Sequence, residues 1–332
     1  PETMREYEDP LKTSENRLAP RSFYIPEGVS EYRLLNGTWR FRYFARDIDI
    51  PPVIEKWDTI PVPSCWQTEG YENPNYTNIN YPFPCDQPYV PDDNPCGVYE
   101  REFELEKRWG RVYFVLEGVS SCAYISVNGR AVGFTQGSHL QAEFDITPYV
   151  TEGRNTLRVK VLKWCCGSYL EDQDCFRMNG IFRDCYLLQR PEEHLTDIAV
   201  HTEGNTVFAL AGKSCDISLY DAGGRLLAER RDCSAAEFKV KNAVRWNAEK
   251  PYLYTLSFTR NSECITQRFG FRTIAISSQY ELLVNGVAVK LHGVNHHDTN
   301  PHNGWYQTNE QLRHDLLLMK ELNINCIRTS HY

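Results

Sequence analysis

At 332 residues the chain exceeds the size that one hydrophobic core usually serves, so two or three domains are expected, and a 41% hydrophobic content is ample for their cores. The formal net charge is −8, with acid and base interspersed and no Lys/Arg stripe or basic tail, which argues against a nucleic-acid partner. No run of about 18 apolar residues occurs, so no membrane span is expected.

Taken in chain order, residues 1–30 begin PETMREYEDP, charged rather than signal-like, and continue rich in Pro, Arg and Glu without a lasting period. An extended arm is expected there. From Leu34 to about Gln189 short alternating segments dominate, among them Trp39 to Phe44, Arg111 to Leu116, Ala123 to Val127 and Leu157 to Leu162. Turn pairs such as Asn36-Gly37, Asn128-Gly129 and Glu152-Gly153 punctuate them. That pattern predicts an all-β domain over 31–191, a two-sheet jelly roll. Within it, residues 71–97 hold too many prolines for a central strand, while Tyr71, Tyr76, Tyr81, Phe83 and Tyr89 argue against disorder. This loop is expected to fold over a surface and present groups there.

The densest stretch of charge is Gly167 to Asp184, where Glu171, Asp172 and Asp174 stand beside Tyr169, Phe176, Phe182, Arg177 and Arg183. Carboxylates among aromatic rings suit a sugar, whose hydroxyls need fixed acceptors while its C–H faces pack on rings. A solvated turn is the bland alternative. Strand patterns resume over 192–274, with Asp221-Ala-Gly-Gly224 as a hairpin turn and Tyr252 to Phe258 as a core strand, at a spacing that suits an immunoglobulin-like sandwich. The period then changes. Residues 275–332 carry a hairpin, the run Leu291 to Asp298, and a helix announced by the capping-box spacing Thr308 to Gln311. Leu312, Leu316 and Met319 mark its expected buried face, before a strand at Ile324 to Arg328. Strand, helix, strand is a βαβ unit, and one such unit cannot close a parallel barrel. The chain is therefore expected to be the front of something longer.

His296, His297, Asp298 and His302 fit no standard zinc spacing. At the end of a barrel strand they more plausibly line a pocket. No phosphate loop or GxSxG elbow is present. The 12 cysteines are scattered, with no CxxC pair, and read as reduced thiols of a cytoplasmic protein.

Together the segments resemble glycoside hydrolase family 2, in its β-galactosidase branch rather than the β-glucuronidases or β-mannosidases. The resemblance is carried by NRLA from Asn16, LNGTWRF from Leu35, VPSCWQ from Val62, YTNINYP from Tyr76, GSYLEDQD from Gly167, GIFRD from Gly180, HGVNHH from His292 and RTSHY from Arg328. It implies a jelly-roll sugar-binding domain, an immunoglobulin-like domain and the start of a (β/α)8 catalytic barrel. The implied reaction is retaining hydrolysis of a terminal β-D-galactoside through two carboxyl groups about 5 Å apart. By the same resemblance Asn78, Asp174 and His331 contact the galactose, Asp174 also helps to hold sodium, and residues 1–30 help to assemble a tetramer. His292 stands where Arg is usual, Asp298 where Glu is commoner, and Cys175 where a larger apolar residue is expected. Both catalytic glutamates and the magnesium site are implied to lie beyond residue 332, so the chain alone is expected to be inactive. A non-catalytic carbohydrate-binding protein and a complementing subunit are the alternatives.

Overall fold

A computed structural model describes residues 4–78, 80–171 and 174–330. The first β domain consists of two antiparallel sheets. The larger, in spatial order, runs Ser14–Glu15, Arg130–Gln136, Cys122–Val127, Gly153–Leu162, Cys96–Leu105, Gly37–Phe44 and Asp58–Val62; the smaller runs Ala142–Asp145, Arg111–Leu116, Cys185–Arg190 and Glu31–Leu34. Strand periodicity explains the sandwich: Leu157, Val159 and Val161 are fully buried and share a core with Phe114, Leu116 and Leu187 of the other sheet. Each such side chain contributes about 1.5–3 kcal/mol by leaving water. Arg158 lies on the outer side, where its guanidinium and that of Arg40 each reach the buried Glu100 at 2.6 Å.

The second domain is a sandwich built from Ile198–Glu203, Thr206–Tyr220, Leu226–Lys239, Tyr254–Arg260 and Glu263–Phe269, with Ile217, Leu219, Leu256, Phe258 and Ile265 as its core. Asp221 closes the expected hairpin turn, its Oδ1 accepting from the Gly223 and Arg225 amides at 3.0 Å. The amino-terminal segment lies across both domains: Ser14–Glu15 extends the large sheet of the first, Glu27–Gly28 pairs with Glu263–Phe269 of the second, and Tyr7 and Tyr24 are buried.

The βαβ unit is present. Gly293–His296 pairs in parallel with Cys326–Thr329, and the helix Asn309–Glu321 connects them. Its capping box forms as the spacing predicts, Thr308 Oγ1 accepting from the Gln311 amide and Gln311 Oε1 from the Thr308 amide. The buried face does not. No residue of this helix is buried: Leu312 and Met319 are half-buried, and Leu316 and Leu317 are exposed. The reason is geometric, because a helix over a single pair of parallel strands has only that pair to cover it.

Candidate functional site

Two short strands carry the residues singled out by the resemblance. Asn75–Thr77 pairs antiparallel with Cys175–Arg177, in the register Cys175 to Thr77, Phe176 to Tyr76 and Arg177 to Asn75. Asn78 follows the first strand and Asp174 precedes the second, so the two residues flank the same end of this strand pair. Both are exposed. Asp174 adopts a positive φ of 43°, a turn conformation that Asp tolerates better than most residues. The Tyr76 hydroxyl donates to Asp174 Oδ1, and the Tyr76 and Phe176 rings stand 5.5 Å apart beside it. That hydrogen bond raises the phenol's pKa, the carboxylate being an acceptor that a phenolate would lose. His331 lies outside the described residues, as does Asp172.

The acidic cluster therefore divides. Asp174 sits on the open face with Tyr76, whereas the half-buried Glu171 accepts from the Ser138 amide at 2.8 Å and the Ser138 hydroxyl at 2.7 Å. Burial pushes the Glu171 carboxyl up despite these two bonds and the charge of Arg177. Alternation along Cys175–Arg177 accounts for the division, because Phe176 is exposed while Cys175 and Arg177 are buried. Buried Arg177 donates to the Ser168 carbonyl at 3.1 Å. Arg183 donates to the His139 carbonyl at 3.3 Å.

Behind this strand lies a cavity of about 320 Å³, whose lining includes Trp164, Trp305, His139, Glu171, Arg177 and Asn179. The Trp305 ring is 4.9 Å from His139 and 5.1 Å from Phe182, so the barrel segment packs directly on the jelly roll. Gly304 makes the turn possible: it has φ +65°, and a Cβ there would stand 2.5 Å from Met178 Sδ. Burial, and then the nearby Arg183, push the His139 imidazole down to about 3, so it is neutral at physiological pH. The proline-rich loop is pinned next to this cavity. Tyr81 donates to the Tyr169 carbonyl at 2.9 Å, and Phe83 lies 5.0 Å from Trp164 and 5.3 Å from Tyr169.

His296 lies between two carboxylates, Nε2 3.1 Å from Asp315 and Nδ1 3.4 Å from Asp298. Among the described residues no group of three or more His, Cys, Asp or Glu stands close enough to hold a metal ion. Sodium prefers several oxygen donors, and Asp174 offers one carboxylate with one oxygen engaged by Tyr76. The fit to sodium is thus that of a single ligand. A larger groove of about 770 Å³ runs along the second domain beside Asp197. Its one carboxylate already accepts from the Ser22 and Ile198 amides, each at 2.9 Å, so it is less suited to a hydroxylated ligand.

Sequence reasoning singled out Asn78, Asp174 and Glu171 but not Tyr76 as a partner of Asp174 or Trp305 as a cavity wall. The alternation of Tyr76 with Asn78 was the one available signal for the former. Nothing local signals the latter.

A jelly roll that presents paired polar side chains beside aromatic rings, followed by an immunoglobulin-like sandwich and the opening of a parallel barrel, is the architecture of a multidomain glycoside hydrolase. Three family models match: "Glycosyl hydrolases family 2, sugar binding domain" over residues 32–191, "Glycosyl hydrolases family 2" over 193–272 and "Glycosyl hydrolases family 2, TIM barrel domain" over 274–332. The chain belongs to glycoside hydrolase family 2. It is 40% identical over 352 aligned positions to a β-galactosidase of Actinobacillus pleuropneumoniae, which covers 98% of this chain and 35% of that protein. It is 38% identical to a β-galactosidase of Staphylococcus xylosus, covering 96% of this chain and 35% of that one. The chain thus spans about a third of the length of these curated relatives. Among solved structures, a β-glucuronidase of Faecalibacterium prausnitzii superposes with a TM-score of 0.77 at 19% identity, over 95% of this chain and 57% of that one. One from an uncultured Clostridium gives 0.75 at 24%, over 94% and 56%. At these identities the likeness is one of fold. No helix among the described residues is long and apolar enough to cross a membrane.

Proposed function

We propose that the chain is the sugar-recognising front of a retaining β-galactosidase acting on terminal β-D-galactosides. The observation that carries this reading is the placement of Asn78 and Asp174 at the same end of a strand pair, with the Tyr76 hydroxyl bonded to the Asp174 carboxylate. An exposed acceptor held rigidly beside aromatic faces suits a galactose hydroxyl, and fixed polar groups lose little entropy on binding. The β-galactosidase names of relatives at 36–40% identity support the substrate class. Asn78, Asp174 and His331 contact the sugar in this reading, and Asp174 contributes one oxygen to a sodium ion, which would help to neutralise and orient the carboxylate.

The two catalytic glutamates and a magnesium site belong to later barrel strands, so the chain alone does not hydrolyse galactosides. The whole enzyme is a cytoplasmic homotetramer in which residues 1–30 take part in assembly. Pure chain should give no turnover of a chromogenic β-galactoside, and should bind D-galactose weakly, with a component at the outer face that Asp174→Asn weakens. Turnover by the chain alone, or galactose binding indifferent to both Asp174→Asn and Asn78→Ala, would overturn this reading.

A further inference from the structure

The cavity behind the Cys175–Arg177 strand is not part of the surface that holds Asn78 and Asp174. Those two residues flank strand ends on the exposed side, whereas Cys175 and Arg177 turn inward and line the cavity. At about 320 Å³ it lies at the lower end of the roughly 300–1,000 Å³ typical of small-molecule sites. Its walls are of two kinds. Trp164 and Trp305 supply large aromatic surfaces that are almost fully buried. Glu171, Arg177 and Asn179 supply hydrogen-bonding groups whose charges cancel, and His139 beside them is neutral.

Each polar group is already held. Glu171 is fixed by Ser138, Arg177 by the Ser168 carbonyl, and Asn179 by the Gln67 side chain at 2.9 Å. A carboxylate has about four lone-pair directions, so Glu171 keeps acceptor capacity beyond the two bonds it receives. A pre-oriented, charge-balanced lining between aromatic walls selects an uncharged, polyhydroxylated ring over an ion or a purely apolar ligand.

We propose that this cavity is a second carbohydrate site, taking one neutral hexose unit on the inner side of the Cys175–Arg177 strand, away from the exposed Asp174 that precedes it. Trp164 and Trp305 sandwich or flank the ring, and Glu171, Arg177 and Asn179 bind its hydroxyls. Cys175 sets the room available: it is buried and small, and a longer apolar side chain there would project into the cavity. The proposal rests on the sugar-recognising reading of the chain but not on Asp174.

The test is fluorine NMR of the full chain labelled with 5-fluorotryptophan and titrated with D-galactose and with D-glucose. Assignment uses Trp→Phe variants at positions 164 and 305. The expected result is saturable shifts of the Trp164 and Trp305 resonances that are lost in Cys175→Met. They should survive in Cys175→Ser, and in Asp174→Asn with an apparent affinity changed less than about twofold, as for independent sites. Circular dichroism and thermal melts confirm that each variant folds. Absence of shifts at either indole in the folded parent chain would overturn the proposal, as would shifts that persist in a folded Cys175→Met or vanish in Asp174→Asn. Failure of the outer galactose site alone would appear differently, as cavity shifts without any Asp174-dependent binding.

Discussion

Arg190 and Glu263 form a bidentate ion pair across the boundary of the two β domains, Nε to Oε2 at 2.8 Å and Nη2 to Oε1 at 2.7 Å, with both side chains 1% exposed. Arg190 ends a strand of the jelly roll, Glu263 begins one of the second sandwich, and the pair is completed by the Ser30 hydroxyl on Glu263 at 2.6 Å and the Leu195 carbonyl on Arg190 at 2.8 Å. The amino-terminal segment, the first domain and the second thus meet at one fully enclosed charge pair.

Removing one partner leaves the other charged and buried. Glu263→Gln or Arg190→Met should each cost about 3–5 kcal/mol, while the double variant Arg190→Met/Glu263→Leu should recover much of that loss. Urea unfolding monitored by fluorescence and circular dichroism checks this. A single variant that unfolds at the parent's midpoint would show that the pair is not what couples the domains.

Acid should act in two windows. The folded-state pKa of His139 is depressed from 6.5 to about 3 by burial and then by Arg183, so as pH falls below 6.5 the unfolded chain takes up a proton that the folded chain refuses. Stability should therefore decline from pH 6.5 towards 3, with a slope from this residue approaching about 1.4 kcal/mol per pH unit. Burial raises Glu263, but the hydrogen bonds and charge of Arg190 and the Ser30 bond outweigh it and hold the carboxyl below 4.5. Its contribution is complete above 4.5 and disappears as pH falls through the depressed value. In urea midpoints measured from pH 7 to 3, His139→Gln should flatten the decline throughout the range from 6.5 towards 3, and Glu263→Gln only the part below 4.5.

On the outer face, Asp174→Asn removes a charged acceptor from an exposed position. It should leave the unfolding midpoint within about 0.5 kcal/mol of the parent. Galactose affinity should fall by about 1.5–3 kcal/mol, the contribution of a hydrogen bond to a charged group. Tyr76→Phe should lower affinity less, since it loosens the carboxylate without deleting it. Calorimetric titration of the three proteins gives this ranking, and equal affinity in Tyr76→Phe and the parent would show that the tyrosine does not position Asp174.

Several of these features could be read from the residues alone, and others could not, for a physical reason. The Asp221 turn and the Thr308 capping box are local: their hydrogen bonds close within four residues, and composition announces them. Alternation gave the β domains, because a half-buried strand must show a period of two. The Arg190–Glu263 pair spans 73 residues and the Tyr76–Asp174 bond 98, and no local period encodes which distant partner a charge will meet. Asn78 and Asp174 were reached through resemblance, and only the strand register shows that they flank the same end of one strand pair. The helix Asn309–Glu321 shows the converse limit, since periodicity identifies an apolar stripe but not whether anything covers it.

The exposed leucines of the same helix yield the last prediction. Leu316, Leu317, Leu318 and Leu322 are 46–66% exposed along and just beyond one helix, apolar area spread over more than one of its sides. In the chain as it stands these leucines contribute little to folding, because they bury little of their area. Leu316→Lys and Leu317→Lys should therefore each shift stability by no more than about 0.5 kcal/mol. A core leucine such as Leu187, 3% exposed, should by contrast cost about 2–5 kcal/mol when cut to alanine. The lysine pair should also reduce binding of an environment-sensitive hydrophobic dye and shift sedimentation towards smaller species, by removing the apolar contact that favours self-association. If Leu316→Lys instead unfolds the helix, as hydrogen exchange over residues 309–321 would reveal, these leucines are already covered in solution by another surface of the same chain or of a second copy.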